Sequence, residues 1–261
     1  DLCPANSSFK LGSTRFTVPL TGELNVRNAL AVAACARHCG LADDEIRAAF
    51  ATFKGVRRRM EVRGVQHGVT IIDDFGHHPT AIRETLKALR VKYPGNRIHA
   101  IFEPRSNTTR RAVFQNELAE ALALADFAVV SAIPDLHKIP ENDRLNPEKL
   151  SADIARLGGR ASYLPNIEAI IADVKESAKP GDTVAVLSNG GFGGIHQKLL
   201  ANPEYRLAFG DAIHRRIFNQ GLLSTAGLRA AFGRRFAEVE PSGIRGESAR
   251  WGDNRVDTKP Y

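Results

Sequence analysis

Residues 69–82 read VTIIDDFGHHPTAI, and this stretch decides the fold. Its apolar, β-branched start, from Val69 to Ile72, predicts a buried strand that ends at two aspartates. Pro79 suits the first position of a helix, because an N–H at that position would have no partner within the helix. The stretch therefore predicts a strand, a polar turn and a helix, with two carboxylates and two imidazoles at the C-terminal end of the strand.

Two other interpretations of this turn stay open. Asp73 or Asp74 could simply cap the helix while His77 and His78 are ordinary surface loop residues. A metal site is the second alternative, but the DDxxHH spacing matches no standard zinc motif. We therefore favour a ligand-binding turn and predict no metal ligand in the chain.

Further apolar segments alternate with helical patterns after this stretch, which is typical of α/β folds with a doubly wound, mostly parallel, Rossmann-like sheet. The predicted strands span residues 69–73, 97–103, 127–133, 161–164 and 183–188. The helices that alternate with them span residues 79–91, 110–125, 147–157, 166–177 and 194–200.

Two more polar loops follow predicted strands, EPRSNTT at residues 103–109 and SNGGFGG at residues 188–194. In such sheets the C-terminal ends of the strands meet at one edge, where ligands bind. Arg105 offers a forked set of donors for a carboxylate, and the glycines let backbone N–H groups approach a ligand closely. One GGxGG segment is commonly only a tight turn, but three polar loops at one edge predict a binding site.

The segment before the central strand begins with an Ala-rich helix, predicted for residues 25–38. Asn25 and Asn28 share one face at its start. A side-chain amide can donate and accept at once, as the N6/N7 edge of adenine requires, although an ordinary helix N-terminus explains the spacing equally well. The following junction, KGVRRRME at residues 54–61, is either a solvated linker or a phosphate clamp.

A second helix is predicted for residues 43–53, with Ile46, Phe50 and Phe53 at core spacing. Cys35 and Cys39 lie four apart in the first helix and are predicted to be small, reduced core residues.

The composition of the chain argues against nucleic-acid-binding and membrane-spanning proteins. At 261 residues with 43% hydrophobic content the chain can bury one substantial core. The net charge of +7 is dispersed, with no basic run interleaved with aromatics, so we expect an anionic small-molecule substrate and no nucleic-acid partner. No apolar run approaches the roughly 20 residues of a membrane helix and no signal pattern is present, which predicts a cytoplasmic protein without a membrane partner.

Several motifs together resemble those of the Mur ligases of bacterial cell-wall synthesis, over about residues 9–201. GELNVRNAL looks like the family's G-x-H-N-x-x-N-A segment, with Leu24 in place of the histidine. VRRRME looks like its R-R-x-E junction, and IIDDFGHHPTAI like its D-D-[YF]-[AG]-H-H-P hallmark. FEPRSNT and LSNGGFGGIHQKLL look more like the murein peptide ligase branch than the alanine-adding branch, whose loop is F-Q-P-H-R-Y-T-R.

This resemblance implies an ATP-dependent amide ligase of peptidoglycan recycling, which joins UDP-N-acetylmuramate to L-Ala-γ-D-Glu-meso-diaminopimelate. In the family, ATP phosphorylates the muramoyl carboxylate and the peptide's amine then attacks. The implied cofactors are ATP and Mg²⁺. The alternatives are a UDP-N-acetylmuramate–L-alanine ligase and a non-catalytic nucleotide- or peptide-binding module.

The resemblance also implies roles for individual residues. It assigns nucleotide contacts to Asn25, Asn28, Arg59 and Asp74, and it places His77 and His78 beside the nucleotide or catalytic centre. It assigns the peptide pocket to Arg105, Ser106, Asn107, Thr108, Ser188, Asn189 and Gly190.

The domain organisation follows from the same resemblance. Residues 1–56 are expected to be the end of the ATP-binding central domain, residues 57–201 the C-terminal domain, and residues 202–261 an extra helical or disordered tail. DAIHRRIFNQGLLS and GESARWGDNR in the tail faintly resemble a spore-coat, CotH-type, kinase-like family. Because the chain has no G-x-x-G-K-[ST] phosphate loop, we expect a fragment that is inactive alone and has most Mg²⁺ ligands outside it.

Overall fold

The VTIID segment forms an inner strand of a six-stranded sheet. The computed structural model describes residues 1–201, and the predicted tail lies outside this part of the chain. The strands of this part are, in chain order, β1 (Ser7–Leu11), β2 (Thr14–Val18), β3 (Glu61–Gln66), β4 (Val69–Asp74), β5 (Ile98–Phe102), β6 (Phe127–Ser131), β7 (Ala161–Leu164) and β8 (Thr183–Leu187). Its α-helices are α1 (Glu23–His38), α2 (Asp43–Thr52), α3 (Pro79–Lys92), α4 (Gln115–Leu122), α5 (Pro147–Arg156), α6 (Ile167–Ser177) and α7 (Ile195–Leu200).

The large sheet has the strand order β3-β4-β8-β5-β6-β7. Strands β4 to β8 run parallel, and β3 pairs antiparallel with β4 at one edge. The predicted doubly wound, mostly parallel α/β fold is therefore confirmed. Strand β3 is absent from the predicted strands, because its EVRGVQ sequence mixes charged residues with glycine, a composition that suits an exposed sheet edge.

Helices cover both faces of this sheet. Ile72 of β4 faces a layer formed by α3, α4 and α5, whereas its neighbour Ile71 faces α6 and α7. Ile82, Leu86 and Leu89 of α3 are fully buried, as their spacing predicts. Burying one such side chain contributes about 1.5–3 kcal/mol relative to exposing it. The two layers therefore hold the end of β4 and the turn that follows it.

The first two helices pack on the β1–β2 hairpin around a separate small core. Ile46 and Phe50 are buried there, but Phe53 is 41% exposed, because α2 ends at Thr52 and Phe53 has an extended backbone. The prediction of a buried Phe53 is therefore wrong.

The prediction that Cys35 and Cys39 are core residues is also wrong, since both are exposed. The buried face of α1 is formed by Ala29 and Ala33. At about 100° per residue, Cys35 lies on another side of the helix, and Cys39 follows its last residue, His38.

Helix α4 begins later than its predicted start. A turn at Ser106–Thr109 and one 3₁₀ turn at Ala112–Phe114 precede it. The EPRSNTT segment at residues 103–109 therefore lies outside the helices and strands. No helix among residues 1–201 is long and apolar enough to cross a lipid bilayer.

Candidate functional site

The turn between β4 and α3 is closed by its histidines. His78 is the N-cap of α3, where its Nδ1 accepts a hydrogen bond from Thr80 N at 3.3 Å, and Pro79 takes the first helical position. His77 Nδ1 lies 3.0 Å from Phe75 O, and the His78 ring meets Phe114 edge to face. His78 therefore caps α3, and neither Asp73 nor Asp74 does. His78 is also exposed, as the interpretation of the histidines as surface loop residues predicts.

Asp73 and Asp74 point to opposite faces of the sheet, because neighbouring side chains alternate along a strand. Asp74 is 2% exposed. Its Oδ2 accepts a hydrogen bond from Met60 N at 2.8 Å, and its Oδ1 accepts from Gly76 N at 2.7 Å and from Thr85 Oγ1 at 3.3 Å. A carboxylate has about four acceptor positions, so one position remains on Oδ2 for a further donor.

Burial raises the pKa of the Asp74 carboxyl, and the two backbone N–H donors offset only part of this shift. Ionisation of Asp74 therefore has a free-energy cost in the folded chain. A ligand that donates a hydrogen bond to the carboxylate would reduce that cost.

A cavity of about 430 Å³ lies between α1, the arginine-rich junction and α3. Its wall includes all four residues that the motifs assign to a nucleotide, Asn25, Asn28, Arg59 and Asp74. The other residues of the wall are mostly small or apolar: Leu20, Thr21, Gly22, Leu24, Val56, Met60, Ala81, Glu84, Thr85 and Ala88. A mainly apolar wall with a few convergent polar groups is typical of small-molecule sites.

The polar groups of this cavity retain free hydrogen-bonding capacity. Asn25 Nδ2 donates to Thr21 O at 2.8 Å, which leaves the amide oxygen as an acceptor. Asn28 is exposed, and the Arg59 guanidinium lies 5.4 Å from the centre of the Phe75 ring. The cavity thus offers amide groups at one end and a cation at the junction.

Gly22 lets α1 approach α3 closely enough to form the cavity. Its φ is +104°, and a Cβ at this position would lie 2.6 Å from the Cβ of Ala88. Only glycine meets both conditions without strain.

A second group of predicted site residues meets around Glu103, which directly follows β5. Ser188 Oγ donates to Glu103 Oε2, and Gly190 N donates to Ser188 Oγ at 2.9 Å. Arg105 Nη1 lies 3.4 Å from Glu103 Oε1, and a Cβ on Gly190 would lie 2.4 Å from Arg105 Cδ. The structure therefore brings Arg105, Ser188 and Gly190 together through a buried carboxylate.

The remaining loop residues form a turn that bonds to itself. Ser106 Oγ lies 2.7 Å from Thr109 Oγ1 and 3.2 Å from Thr108 Oγ1, and Asn107 Oδ1 accepts a hydrogen bond from Arg110 Nη2 at 2.6 Å. Asn107 and Thr108 are exposed, whereas Thr109 is fully buried and anchors the turn.

Asn189, in the loop after β8, has an unsatisfied side-chain oxygen. Its Oδ1 is buried and has no hydrogen-bond partner among residues 1–201. Buried polar atoms are normally paired, so this oxygen leaves one acceptor of the loop after β8 unsatisfied.

Three residues with contacts in the site are not among the predicted ones. Glu103 contacts Arg105 of one loop and Ser188 of the other. Arg58 and His196 lie beside Asp73. A buried acid directly after a strand was the available signal for Glu103. For Arg58 the signal was weaker, since the three arginines of the junction are indistinguishable in the sequence.

The cavity and the loops are two distinct surfaces, because neither loop contributes to the cavity wall. His77 and His78 are likewise outside that wall. Within residues 1–201 no group of three or more histidine, cysteine, aspartate or glutamate side chains is arranged to hold a metal ion.

Comparison with protein families gives a match over most of the large sheet. A family model described as "Mur ligase, glutamate ligase domain" matches residues 58–190. The UDP-N-acetylmuramate–L-alanyl-γ-D-glutamyl-meso-2,6-diaminoheptandioate ligase of Escherichia coli K12 is 40% identical over 196 residues, which cover 73% of this chain and 39% of that protein. The UDP-N-acetylmuramate–L-alanine ligase of Nostoc punctiforme is 37% identical over 191 residues, with a coverage of 73% and 38%.

A solved structure gives a similar result. The crystal structure of a murein peptide ligase from Psychrobacter arcticus is 32% identical, with a TM-score of 0.56, and covers 77% of this chain and 42% of that one. The chain thus spans about two fifths of the length of the curated relatives it matches.

Proposed function

Because the chain belongs to the Mur ligase family, we propose that its residues 1–201 supply a nucleotide-binding cavity and peptide-binding loops to an ATP-dependent amide ligase. The ligase joins UDP-N-acetylmuramate to L-Ala-γ-D-Glu-meso-diaminopimelate in peptidoglycan recycling. The observation that carries the proposal is the gathering of Asn25, Asn28, Arg59 and Asp74, from α1, the junction and β4, in the wall of one cavity.

The cavity fits an adenine nucleotide in four respects. Side-chain amides can both donate to and accept from the edge of an adenine. The remaining acceptor position on Asp74 suits a ribose hydroxyl, and the Arg59 guanidinium suits a phosphate oxygen. The small and apolar residues of the wall, among them Ala81 and Ala88, suit the faces of a planar base.

The loops around Glu103 suit the incoming peptide. The Arg105 side chain is 47% exposed, so its guanidinium can reach a ligand carboxylate. Ser106, Asn107 and Thr108 offer hydroxyl and amide contacts, while Ser188, Asn189 and Gly190 line the neighbouring strand end. His77 and His78 lie at the turn that also carries Asp74.

In this proposal the chain contributes binding and orientation. Bound ATP supplies the phosphoryl group that makes the muramoyl carboxylate reactive toward an amine. The peptide-binding loops hold the tripeptide so that its free amine faces that carboxyl carbon, and correct orientation alone can lower a barrier by several kcal/mol, roughly 7–11 in favourable cases. Mg²⁺ is expected with the nucleotide, and we derive no step through it.

The tripeptide is favoured over L-alanine as the amine substrate. Sequence identity does not separate the two, because ligases that act on the tripeptide are 38–40% identical to this chain and alanine ligases are 34–40% identical. The choice rests on the EPRSNTT and SNGGFGG loops, which resemble those of the murein peptide ligase branch. A UDP-N-acetylmuramate–L-alanine ligase remains the second candidate, because its relatives match with similar coverage.

The domain division is part of the proposal. Residues 1–56 would be the end of a central ATP-binding domain and residues 57–201 a C-terminal domain. A nucleotide bound between α1 and α3 would then contact both segments. We also propose a cytoplasmic location, where ATP and UDP-linked precursors are available.

Calorimetric titration of the chain with L-Ala-γ-D-Glu-meso-diaminopimelate tests this function. We expect Arg105→Ala to weaken binding about 10-fold or more, because a charge-assisted hydrogen bond contributes about 1.5–3 kcal/mol. Arg156→Ala is the control, since the Arg156 side chain is 73% exposed at the end of α5. Tighter binding of L-alanine would favour the alanine ligase, and no binding of either compound would favour a non-catalytic module.

A further inference from the structure

Arg58 points away from the nucleotide cavity, although it directly precedes Arg59. Its Nη2 donates hydrogen bonds to Ser188 O at 2.6 Å and to Gly190 O at 2.8 Å. Its Nε lies 3.4 Å from Asp73 Oδ1. One guanidinium therefore bridges the end of β4 and two carbonyls of the loop after β8.

The backbone of Arg58 is held in a conformation that non-glycine residues rarely adopt. Its φ is +57°. Arg58 N donates to Glu61 Oε2 at 2.8 Å, and Arg58 O accepts from Phe75 N at 2.8 Å. Such strain costs about 1–3 kcal/mol and persists only where surrounding contacts impose it, often at functional sites.

The acidic partner of Arg58 is enclosed from the other side by α7. His196 Nε2 lies 3.4 Å from Asp73 Oδ1, and both side chains are nearly buried. Burial lowers the pKa of the His196 imidazole, an effect that Arg63 and Arg58 add to and Asp73 opposes. Burial therefore disfavours the charged imidazole, and the Arg58 guanidinium is a permanently charged group beside Asp73.

The contacts continue from the Arg58 guanidinium to the peptide-binding loops. Gly190 N and Ser188 Oγ form a hydrogen bond, Ser188 Oγ donates to Glu103, and Arg105 packs on Gly190. Arg58 is followed in the chain by Arg59 and Met60, which line the nucleotide cavity, and Met60 N donates to Asp74 Oδ2.

We propose that Arg58 is a positioning residue that fixes the Ser188–Gly190 loop in the shape that supports Glu103 and Arg105, and so ties the peptide-binding loops to the junction of the nucleotide cavity. A lysine can reproduce only part of the function, because Nη2 donates to both carbonyls while Nε faces Asp73, and one ammonium cannot occupy both positions. The role of the loop in peptide binding rests on the proposed function, whereas the fixing of the loop does not.

The test compares Arg58→Met, Arg58→Lys and the control Arg57→Met in the full 261-residue chain. Arg57 is the exposed neighbour in the same junction. Amide hydrogen exchange of residues 189–191 reports on the loop itself. Calorimetric titrations with ADP and with L-Ala-γ-D-Glu-meso-diaminopimelate report on the two binding surfaces, and urea unfolding shows whether each variant is folded.

We expect Arg58→Met to speed amide exchange at Gly190 and to weaken tripeptide binding, each about 10-fold, while the ADP affinity changes less than about twofold. Arg58→Lys should restore at most part of both losses, and Arg57→Met should behave as the wild type. Unchanged exchange at residues 189–191 in Arg58→Met would overturn the proposal, and so would an equal loss of ADP and tripeptide affinity.

The same experiment separates this proposal from the proposed function. If the wild-type chain binds no tripeptide, the proposed peptide site fails, and the exchange rates alone decide the role of Arg58. If Arg58→Met is unfolded, Asp73→Asn replaces it, because this change removes the charge that orients Arg58 Nε. Faster exchange at Gly190 in Asp73→Asn then supports the proposal, and wild-type exchange there contradicts it.

Discussion

Replacing Gly22 by alanine is expected to lower the free energy of unfolding by about 2–6 kcal/mol. Its backbone, with φ +104° and ψ 147°, lies near a region that is essentially restricted to glycine, and strain there costs about 1–3 kcal/mol. The added methyl group would also lie 2.6 Å from Ala88 Cβ, and overpacking of this kind costs about 1–3 kcal/mol. Urea unfolding followed by circular dichroism measures the change.

Gly40→Ala is the matched control for Gly22→Ala. Gly40 also has a positive φ, of +86°, but an added Cβ would meet no atom within 4 Å. We expect Gly40→Ala to lower the free energy of unfolding only by the backbone strain, about 1–3 kcal/mol. Adding Ala88→Gly to Gly22→Ala should recover part of the loss despite the lower helix propensity of glycine. Equal losses for Gly22→Ala and Gly40→Ala would show that the approach of α1 to α3 is not tight.

Replacing Asp74 by asparagine is expected to weaken ADP binding about 10-fold to 100-fold. Asp74 is part of the cavity wall and has one free acceptor position, and a hydrogen bond to a charged group contributes about 1.5–3 kcal/mol. Asparagine keeps the shape but places an NH₂ group toward donors that Asp74 now accepts from, such as Met60 N. Titration calorimetry with ADP measures the change. Since burial raises the pKa of Asp74, acid should weaken wild-type binding at a higher pH than an ordinary aspartate would predict.

A nucleotide that lacks the ribose hydroxyls tests whether Asp74→Asn acts on ribose binding or on folding. The wild type should bind 2′,3′-dideoxy-ADP more weakly than ADP by a factor similar to that of Asp74→Asn. In the variant the two nucleotides should bind about equally, because the partner of the hydroxyl has gone. Thr85→Val, also in the cavity wall, removes a hydrogen bond to Asp74 Oδ1 but keeps the carboxylate, so it should still discriminate between the two nucleotides. Full discrimination between the two nucleotides in Asp74→Asn would show that Asp74 does not contact the ribose.

Local patterns were sufficient to predict most of the large sheet. The apolar run of β4, the proline at the start of α3 and the spacing of Ile82, Leu86 and Leu89 each report on burial within one element. The edge strand β3 was missed because exposed edges need no apolar run. The burial of Cys35 was predicted wrongly because an Ala-rich helix has several small faces, and only the packing on the β-hairpin selects the face of Ala29 and Ala33.

The candidate site depended on longer-range information. Motif spacing suggested Asn25, Asn28, Arg59 and Asp74, and their roles stay predictions although one cavity gathers them. The partners of Arg58 lie 130 and 132 residues away. Their meeting depends on the strand order β4-β8-β5, which places the end of β8 between Asp73 and Glu103. Strand order cannot be derived from any local pattern, so the contacts of Arg58 and Glu103 with the loop after β8 were not predicted.

Mapping both ligands on the chain by two-dimensional NMR tests the central claim most directly. The ¹⁵N-labelled 261-residue chain is titrated first with ADP and then with L-Ala-γ-D-Glu-meso-diaminopimelate. We expect ADP to shift the amide signals around Asn25, Asn28, Arg59 and Asp74, and the tripeptide to shift a separate set at residues 105–108 and 188–190. Shifts from both ligands at one surface, or shifts from either ligand outside these segments, would contradict the account.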